Sequence, residues 1–222
     1  MPPTPTIRPF QPSDQPAVFE IAADTAAFGA SVETFLEDRR LFQEAFYAYY
    51  TRFESAHSWV ACLGDPVVGF LMGCPDTTLK DPLWQRLVLP GVIGKALRGG
   101  YHLGQKTWRF AFSLLWDTLR GHLPHPDLTL YPAHLHINVR EGFRGAGLGR
   151  QLIETYVGHL RGLGVPGVHL DTTSENRLAC HLYEATGFRI LAAAPNTYWT
   201  RRMGRPVENR CYVRSCSQPE ER

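Results

Sequence analysis

The sequence predicts a single α/β domain built around a mixed β-sheet. Three observations lead there. Short runs of apolar and β-branched residues alternate with segments of helical period along most of the chain. Residues 58–63 and 66–73 are two such runs joined through Gly64-Asp65, a hairpin signal that makes part of the sheet antiparallel. After Pro132 come a strand, a glycine-rich turn, a helix, a strand and a further helix, the pattern of an α/β chain. With 222 residues the chain fits one domain, here taken as residues 1–222 with an insertion at about 76–131.

Taken in order, residues 1–6 are rich in Pro and Thr and read as a frayed terminus, and 6–10 form a short β-like run. Gln11-Pro12-Ser13-Asp14 supplies a turn and a helix cap, with Pro16 tolerated in the first helical turn. The helix that follows runs through Val18, Ile21 and Ala22, and Gly29 ends it. A second helix is predicted over 32–54 from Phe35, Leu36, Phe42, Phe46 and Tyr49-Tyr50. The stretch from about 75 to 132 differs in character. It holds Gly91, Gly94, Gly99, Gly100 and Gly104 together with Trp84, Trp108 and Trp116, and reads as a helical insertion with an amphipathic helix over 107–119. Residues 133–139 form a strand, and Leu148, Leu152, Tyr156 and Leu160 mark one face of a helix. A strand at 168–172, a short helix at 176–186 stopped by Gly187, and strands at 188–192 and 210–214 complete the chain.

The bulk numbers exclude several classes. Hydrophobic residues make up 44% of the chain and aromatics 12%, enough to bury a core and incompatible with wholesale disorder. Lys plus Arg is 23 against 21 for Asp plus Glu, and a formal charge of +2 argues against a nucleic-acid binder. The cysteines, Cys62, Cys74, Cys180, Cys211 and Cys216, contain no CxxC pair, so neither a metal site nor a disulfide framework is expected. No apolar run has the length of a signal peptide core or a membrane span, and a cytoplasmic protein without stable membrane insertion is expected.

The most informative passage is 135–152, where a strand ending in Val139 runs into Arg144-Gly145-Ala146-Gly147-Leu148-Gly149-Arg150. Glycines at alternate positions let backbone N–H groups approach a phosphate, and the new helix adds unpaired N–H groups and the positive end of its dipole. A diphosphate suits such a place. The Walker pattern is absent, and the dinucleotide fingerprint fails because Arg150 stands where its last glycine would be. What remains is Arg144-x-x-Gly147-x-Gly149, which resembles the pyrophosphate loop of the GNAT N-acetyltransferases. A second segment, Asn176-Arg177-Leu178-Ala179-Cys180-His181-Leu182-Tyr183-Glu184-Ala185-Thr186-Gly187-Phe188, resembles that family's second motif. Asn176 and Tyr183 are seven apart and share a helix face. The family's opening is matched by Ile7-Arg8-Pro9-Phe10, and its early hairpin by 58–73 with Val67-Val68-Gly69-Phe70. The insertion, and Glu141 where many members carry proline, depart from the pattern. His134-Leu135-His136-Ile137 also resembles bacterial relatives of the acetyltransferase-like domain of O-GlcNAc hydrolases.

The resemblance implies the GNAT (acyl-CoA N-acyltransferase) fold, a mixed and mostly antiparallel sheet flanked by helices. It implies acetyl-CoA as co-substrate, no metal, and direct attack of a small-molecule or peptide amine on the acetyl thioester. Asn138, Val139, Arg144, Gly145, Ala146, Gly147, Leu148, Gly149, Arg150, Asn176, Ala179 and Tyr183 would then hold the cofactor. Within that set, the Val139 N–H polarises the carbonyl and Tyr183 protonates the departing thiolate. The base that takes the ammonium proton stays open among His136, His134, Asp171, Glu54 and solvent itself. Two rival functions also stay open: a non-catalytic acyl-CoA-binding module and a protein-lysine acetyltransferase. The cations Lys95, Arg98, His102, Lys106 and Arg109 read as an acidic-substrate pocket, a contact for the 3′-phosphate, a membrane-facing patch or a solvated helix face. The aromatic-rich insertion offers a homodimer surface.

Overall fold

The structure, a computed structural model, describes residues 5–217. The first four residues of the Pro- and Thr-rich opening lie outside them. Seven strands form one sheet: β1 (Pro5–Pro9), β2 (Ser58–Leu63), β3 (Val67–Cys74), β4 (Ala133–Val139), β5 (Gly167–Thr173), β6 (Arg189–Pro195) and β7 (Glu208–Ser215), in the order β1-β2-β3-β4-β5-β7-β6. Every neighbouring pair is antiparallel except β4 with β5. This is the mixed, mostly antiparallel sheet the sequence predicts.

β2 and β3 are buried on both faces because helices cover both. One layer holds α1 (Gln15–Asp24) and α2 (Arg39–Phe53), whose Ile21, Phe42 and Tyr50 meet Val60, Phe70 and Met72. The other holds α6 (Leu148–Gly162) and α7 (Arg177–Ala185), whose Leu152, Tyr156 and Tyr183 meet Leu71, Leu135 and Leu170. The stripe Leu148, Leu152, Tyr156 and Leu160 is buried as its spacing predicts.

The helix expected over 32–54 is broken. A 3-10 turn spans Val32–Thr34, and α2 begins only at Arg39, where the Asp38 side chain accepts a hydrogen bond from Arg40 N at 2.9 Å. The first helix likewise ends at Asp24 rather than running on to Gly29. The insertion contains three helices: α3 (Thr77–Leu87) and α4 (Leu89–Leu97), which were not expected, and α5 (Gln105–Leu119), which was. Pro82, Pro90 and the scattered glycines hide the period of α3 and α4 in the sequence. The base of the insertion is closed by Thr77 N donating to Pro132 O at 2.9 Å. Trp84 Nε1 donates to Ala45 O at 2.8 Å, and Tyr101 donates to Glu44, which lays the insertion on α2. An eighth helix, α8 (Thr197–Met203), lies between β6 and β7 where no helix was expected. It has only seven residues, capped by Asn196 and closed at Gly204, too short for a periodic signal.

Candidate functional site

The site follows from one irregularity of the sheet. β4 and β5 pair only at Ala133 with Val168 and His134 with His169, then diverge. β4 stays paired with β3 as far as Val139. Arg140 N donates to Val68 O at 2.8 Å, so by antiparallel alternation Asn138 and His136 turn their backbone groups toward β3. Val139 and Ile137 therefore turn theirs into the gap. A parallel ladder left open this way exposes backbone donors and acceptors to a ligand rather than to a strand.

At the mouth of the gap stands the glycine loop. Gly145 and Gly147 have φ of 83° and 77°, a left-handed conformation that side chains with a Cβ resist, and Gly147 is the N-cap of α6. No side chain caps this end of α6 and no acidic residue occupies its first turn. Its free N–H groups and positive dipole end thus face outward, an arrangement suited to an anion. Gly149 serves a different need. A Cβ there would lie 2.7 Å from Leu182 Cδ2, so this glycine lets α6 and α7 touch. Arg150 ties the same helices by donating to Ala185 O at 2.9 Å.

Loop, gap and α7 enclose a cavity of about 330 Å³. Of the residues expected to hold a cofactor, Asn138, Val139, Arg144, Gly145, Gly147, Leu148, Gly149, Arg150, Asn176 and Ala179 line it. Neither Ala146, exposed in the loop, nor Tyr183, buried in the core, lines the cavity. Arg144 lies across Gly29, and its Nε donates to Val139 O at 3.0 Å. Asn176 occupies the N-cap of α7, yet its side chain does not cap; Nδ2 donates to Thr172 Oγ1 at 3.3 Å. Asn138 Nδ2 donates to Thr25 Oγ1 at 2.6 Å, which pins the loop after α1 to the edge of the gap. That loop was not anticipated as part of the site. It contributes Thr25, Gly29 and Phe28, whose φ of 56° is a strained value for a bulky residue, held by the Trp199 ring at 4.6 Å.

Tyr183 is buried on the α7 side with its ring against Phe188 and Tyr212. Burial, reinforced by Cys180, holds its phenol protonated well beyond the usual range. Its hydroxyl makes no hydrogen bond among the described residues, and Tyr47 of α2 lies close enough for the two phenols to perturb each other. Tyr47, which the sequence reading missed, approaches Asn138 Oδ1 at 3.5 Å, the long limit of a hydrogen bond. A single aromatic inside a helix rich in aromatics carries no sequence signal of such a role.

The candidate bases fall together on the α2 face of the sheet. His136 and Asp171 each lie two residues beyond the last paired positions, His134 and His169, so they flank the start of the gap on one face. His136 sits among Tyr47, Tyr50 and His134, and burial, with Lys80 and His169 adding to it, depresses its imidazole to about 3. His134 is lowered too, for the same first reason, and shares a hydrogen bond of 3.1 Å with the Tyr50 hydroxyl. Asp171 is reached by solvent through the gap yet ringed by protein, which raises its carboxyl to about 6. Glu54 is raised too, but it accepts from the Tyr49 hydroxyl at 2.9 Å and is spent there.

The expected cationic cluster is dispersed. Lys95 pairs with Glu44, Lys106 Nζ donates to Glu33 O, and His102 N donates to Asp38. The five cysteines are free and buried, and no cluster of metal-binding side chains occurs among the described residues. No helix among them is long and apolar enough to cross a membrane.

The family model "Acetyltransferase (GNAT) family" matches residues 112–188, which cover the second half of α5 through β4, the glycine loop, α6, β5 and α7. A solved structure named SsHAT is 30% identical, covers 97% of this chain and 100% of its own, and superposes with a TM-score of 0.77. YncA of Salmonella typhimurium, described as a putative acetyltransferase and solved with acetyl-CoA, is 16% identical over 97% of this chain and 96% of its own, with a TM-score of 0.57. At that identity it speaks for the fold alone. The mycothiol acetyltransferase of Nocardiopsis dassonvillei is 42% identical over 54 residues, a match that spans 24% of this chain and 16% of that protein.

Proposed function

This chain belongs to the GNAT acetyltransferase family, and from that premise we propose that it transfers an acetyl group from acetyl-CoA to a primary amine of a small molecule or peptide. The observation that carries the reading is the gap between β4 and β5. It is edged by the backbone groups of Ile137 and the Val139 N–H, with Val139 O already held by Arg144 Nε, and closed by an uncapped helix N-terminus behind a glycine loop. An elongated ligand with an anionic end fits these features. The loop and first turn of α6 would take a pyrophosphate, and the edge of β4 with Asn176 and Ala179 would flank a pantetheine arm.

When bound, acetyl-CoA supplies an activated acetyl thioester. The residues of this chain do the rest. The Val139 N–H would donate to the carbonyl oxygen as negative charge builds there, a preorganised dipole that costs no reorientation. Tyr183, protonated at every physiological pH, would give its proton to the departing sulfur. Asp171 is the better base of the two on the α2 face. With a carboxyl raised to about 6 it is ionised near neutrality and still basic, whereas His136 at about 3 binds a proton poorly. Ordinary amines hold a proton to a pKa of about 10, so removing it is a real part of the barrier.

Calorimetric titration with acetyl-CoA, dephospho-CoA and NADH tests the cofactor half of this reading. Micromolar binding of acetyl-CoA with none of NADH supports it. Failure of a folded protein to bind acetyl-CoA would remove it, and turnover of an amine library, followed by thiol release, then tests the transfer half.

A further inference from the structure

α5 is built inside out. The residues it buries are Thr107, Ser113 and Asp117, and the stripe Trp108, Phe112, Leu115, Trp116 and Leu119 faces outward, with Phe112 65% and Leu119 75% exposed. These five follow the spacing of one helix face. The buried polar side chains explain why the helix stays in place. At its start, Glu37 accepts from the backbone N–H groups of Gly104, Lys106 and Thr107 and from the Thr107 hydroxyl. Near its end, Asp117 accepts from the Thr197 N–H at 3.0 Å and from the Thr197 hydroxyl. The helix is thus anchored by polar contacts at both ends and by Phe110 packed on Phe35 and Tyr198 between them, while its apolar stripe is left exposed, which soluble surfaces rarely tolerate unless something docks there.

Between that face and α8 runs a groove of about 700 Å³. Phe112, Leu115, Trp116, Leu119 and Tyr198 give it apolar walls, and Arg109, Arg201 and Arg202 line it as cations. None of the three arginines forms an ion pair among the described residues. Glu37 and Asp117 are consumed by the anchors just described. Arg120 stacks on Trp116 at 4.5 Å and adds a fourth cation at the rim. We infer that this groove is a docking site for an acidic amphipathic peptide segment of a partner protein, with its apolar side chains between α5 and α8 and its carboxylates on Arg109, Arg201 and Arg202. Charge and shape select that occupant. A second copy related by a twofold axis would bring these uncompensated guanidiniums face to face. A bilayer presents a plane, and a plane does not enter a groove. A helix of about four turns fits the length of α5, and helix-in-groove binding uses this kind of stripe.

The test uses the whole chain and two fluorescein-labelled amphipathic helices of about 15 residues, one with leucines opposed by glutamates and its twin with lysine for every glutamate. Fluorescence polarisation should give the glutamate peptide at least about a tenfold tighter Kd, weakening with salt. In the variant Arg109→Glu/Arg201→Glu/Arg202→Glu the preference should reverse, so that the lysine twin binds. Far-UV circular dichroism and the urea midpoint verify that this surface variant is folded. Equal affinity for the twins, an unchanged preference in the charge-reversed variant, or no binding of either peptide overturns the proposal. So does binding of phosphatidylserine vesicles in place of the peptides. A dimer seen by sedimentation that Trp116→Ser dissolves also overturns it, since a second copy would then own the face. None of these readouts depends on acetyl transfer.

Discussion

Tyr183 and Asp171 stand on opposite faces of the gap, and their surroundings push both toward their protonated forms by different amounts. The Tyr183 phenol is fully enclosed and stays protonated. The Asp171 carboxyl, enclosed but wetted through the gap, titrates at about 6. An acid and a base with values driven apart in this way can both be in their working states near neutrality. The profile of kcat/KM should therefore fall as pH drops below about 6, because the base is lost as its carboxyl takes a proton. Asp171→Asn should flatten that limb and lower kcat by roughly 10²-fold or more, and Tyr183→Phe should lower kcat with acetyl-CoA affinity kept within a few-fold. A limb that persists in Asp171→Asn assigns the base elsewhere, with His136 next in line, and an unchanged kcat in Tyr183→Phe removes the tyrosine as acid. Tyr183 was marked in the sequence by the motif-like run from Asn176 to Phe188. Tyr47 and Phe28 were not, since they reach the site only through folding of α2 and the loop after α1.

The element that makes the site is the junction of β4, the glycine loop and α6, and its two key glycines act for different physical reasons. Gly147 is held at a φ of 77° with nothing but Gln151 Nε2 within 4 Å of a built Cβ, so its cost on substitution is conformational and local to the anion cradle. Gly149 has ordinary φ but sits against Leu182. Gly147→Val should abolish acetyl-CoA binding while leaving the fold intact, because β-branching resists the left-handed region. Gly149→Val should instead lower stability by about 1–3 kcal/mol through overpacking. Trimming the neighbour in Gly149→Val/Leu182→Ala should recover part of the lost Tm. Thermal melts and titrations of the three variants separate the two roles, and identical behaviour of both valine variants would show the distinction to be false. The sequence pattern marked both glycines as one motif. Only the contact with Leu182 shows that one of them belongs to helix packing.

At the scale of the whole molecule, the two cores and the gap between them bury an unusual number of imidazoles. His57, His134, His136, His159 and His169 all have lowered values, with burial the first cause in each. His57 Nδ1 and His159 Nε2 lie 2.8 Å apart, a hydrogen bond that needs at least one neutral ring. Above about 6.5 these histidines are neutral folded and unfolded alike. Below it the unfolded chain binds protons that the folded chain cannot, so stability falls as pH drops from 6.5 toward the folded value of about 3 for His136. Asp171 has the opposite sign, since its raised carboxyl binds a proton in the folded state between about 6 and 3.8. Glu54, also raised by burial, has the same sign, and two carboxyls do not offset five imidazoles. The carboxylates held low by arginine or by backbone and hydroxyl donors, such as Glu33 and Glu37, lose their stabilisation only below 4.5. Urea midpoints near pH 7 and near pH 5 therefore isolate the histidine contribution, and the midpoint should be lower at the acid end. An equal or higher midpoint near pH 5 would mean that the imidazoles are hydrated in solution.

The sequence alone determined the mixed α/β sheet, the glycine loop on α6, the Asn176 to Tyr183 helix and the amphipathic helix α5. Each of these is a local property, set by period, turn chemistry and residues a few positions apart. The break in the helix expected over 32–54 and the seven residues of α8 escaped because single caps and very short helices outweigh no average. The divergence of β4 from β5, the placement of His136 and Asp171 on either side of it, and the groove between α5 and α8 were decided by tertiary structure alone. They join residues 35 to over 80 positions apart, and α5 reads the same in sequence whether its apolar stripe faces in or out. The polar anchors at Glu37 and Thr197 and the packing of Phe110 on Phe35 and Tyr198, all distant in the chain, turn that stripe to the surface.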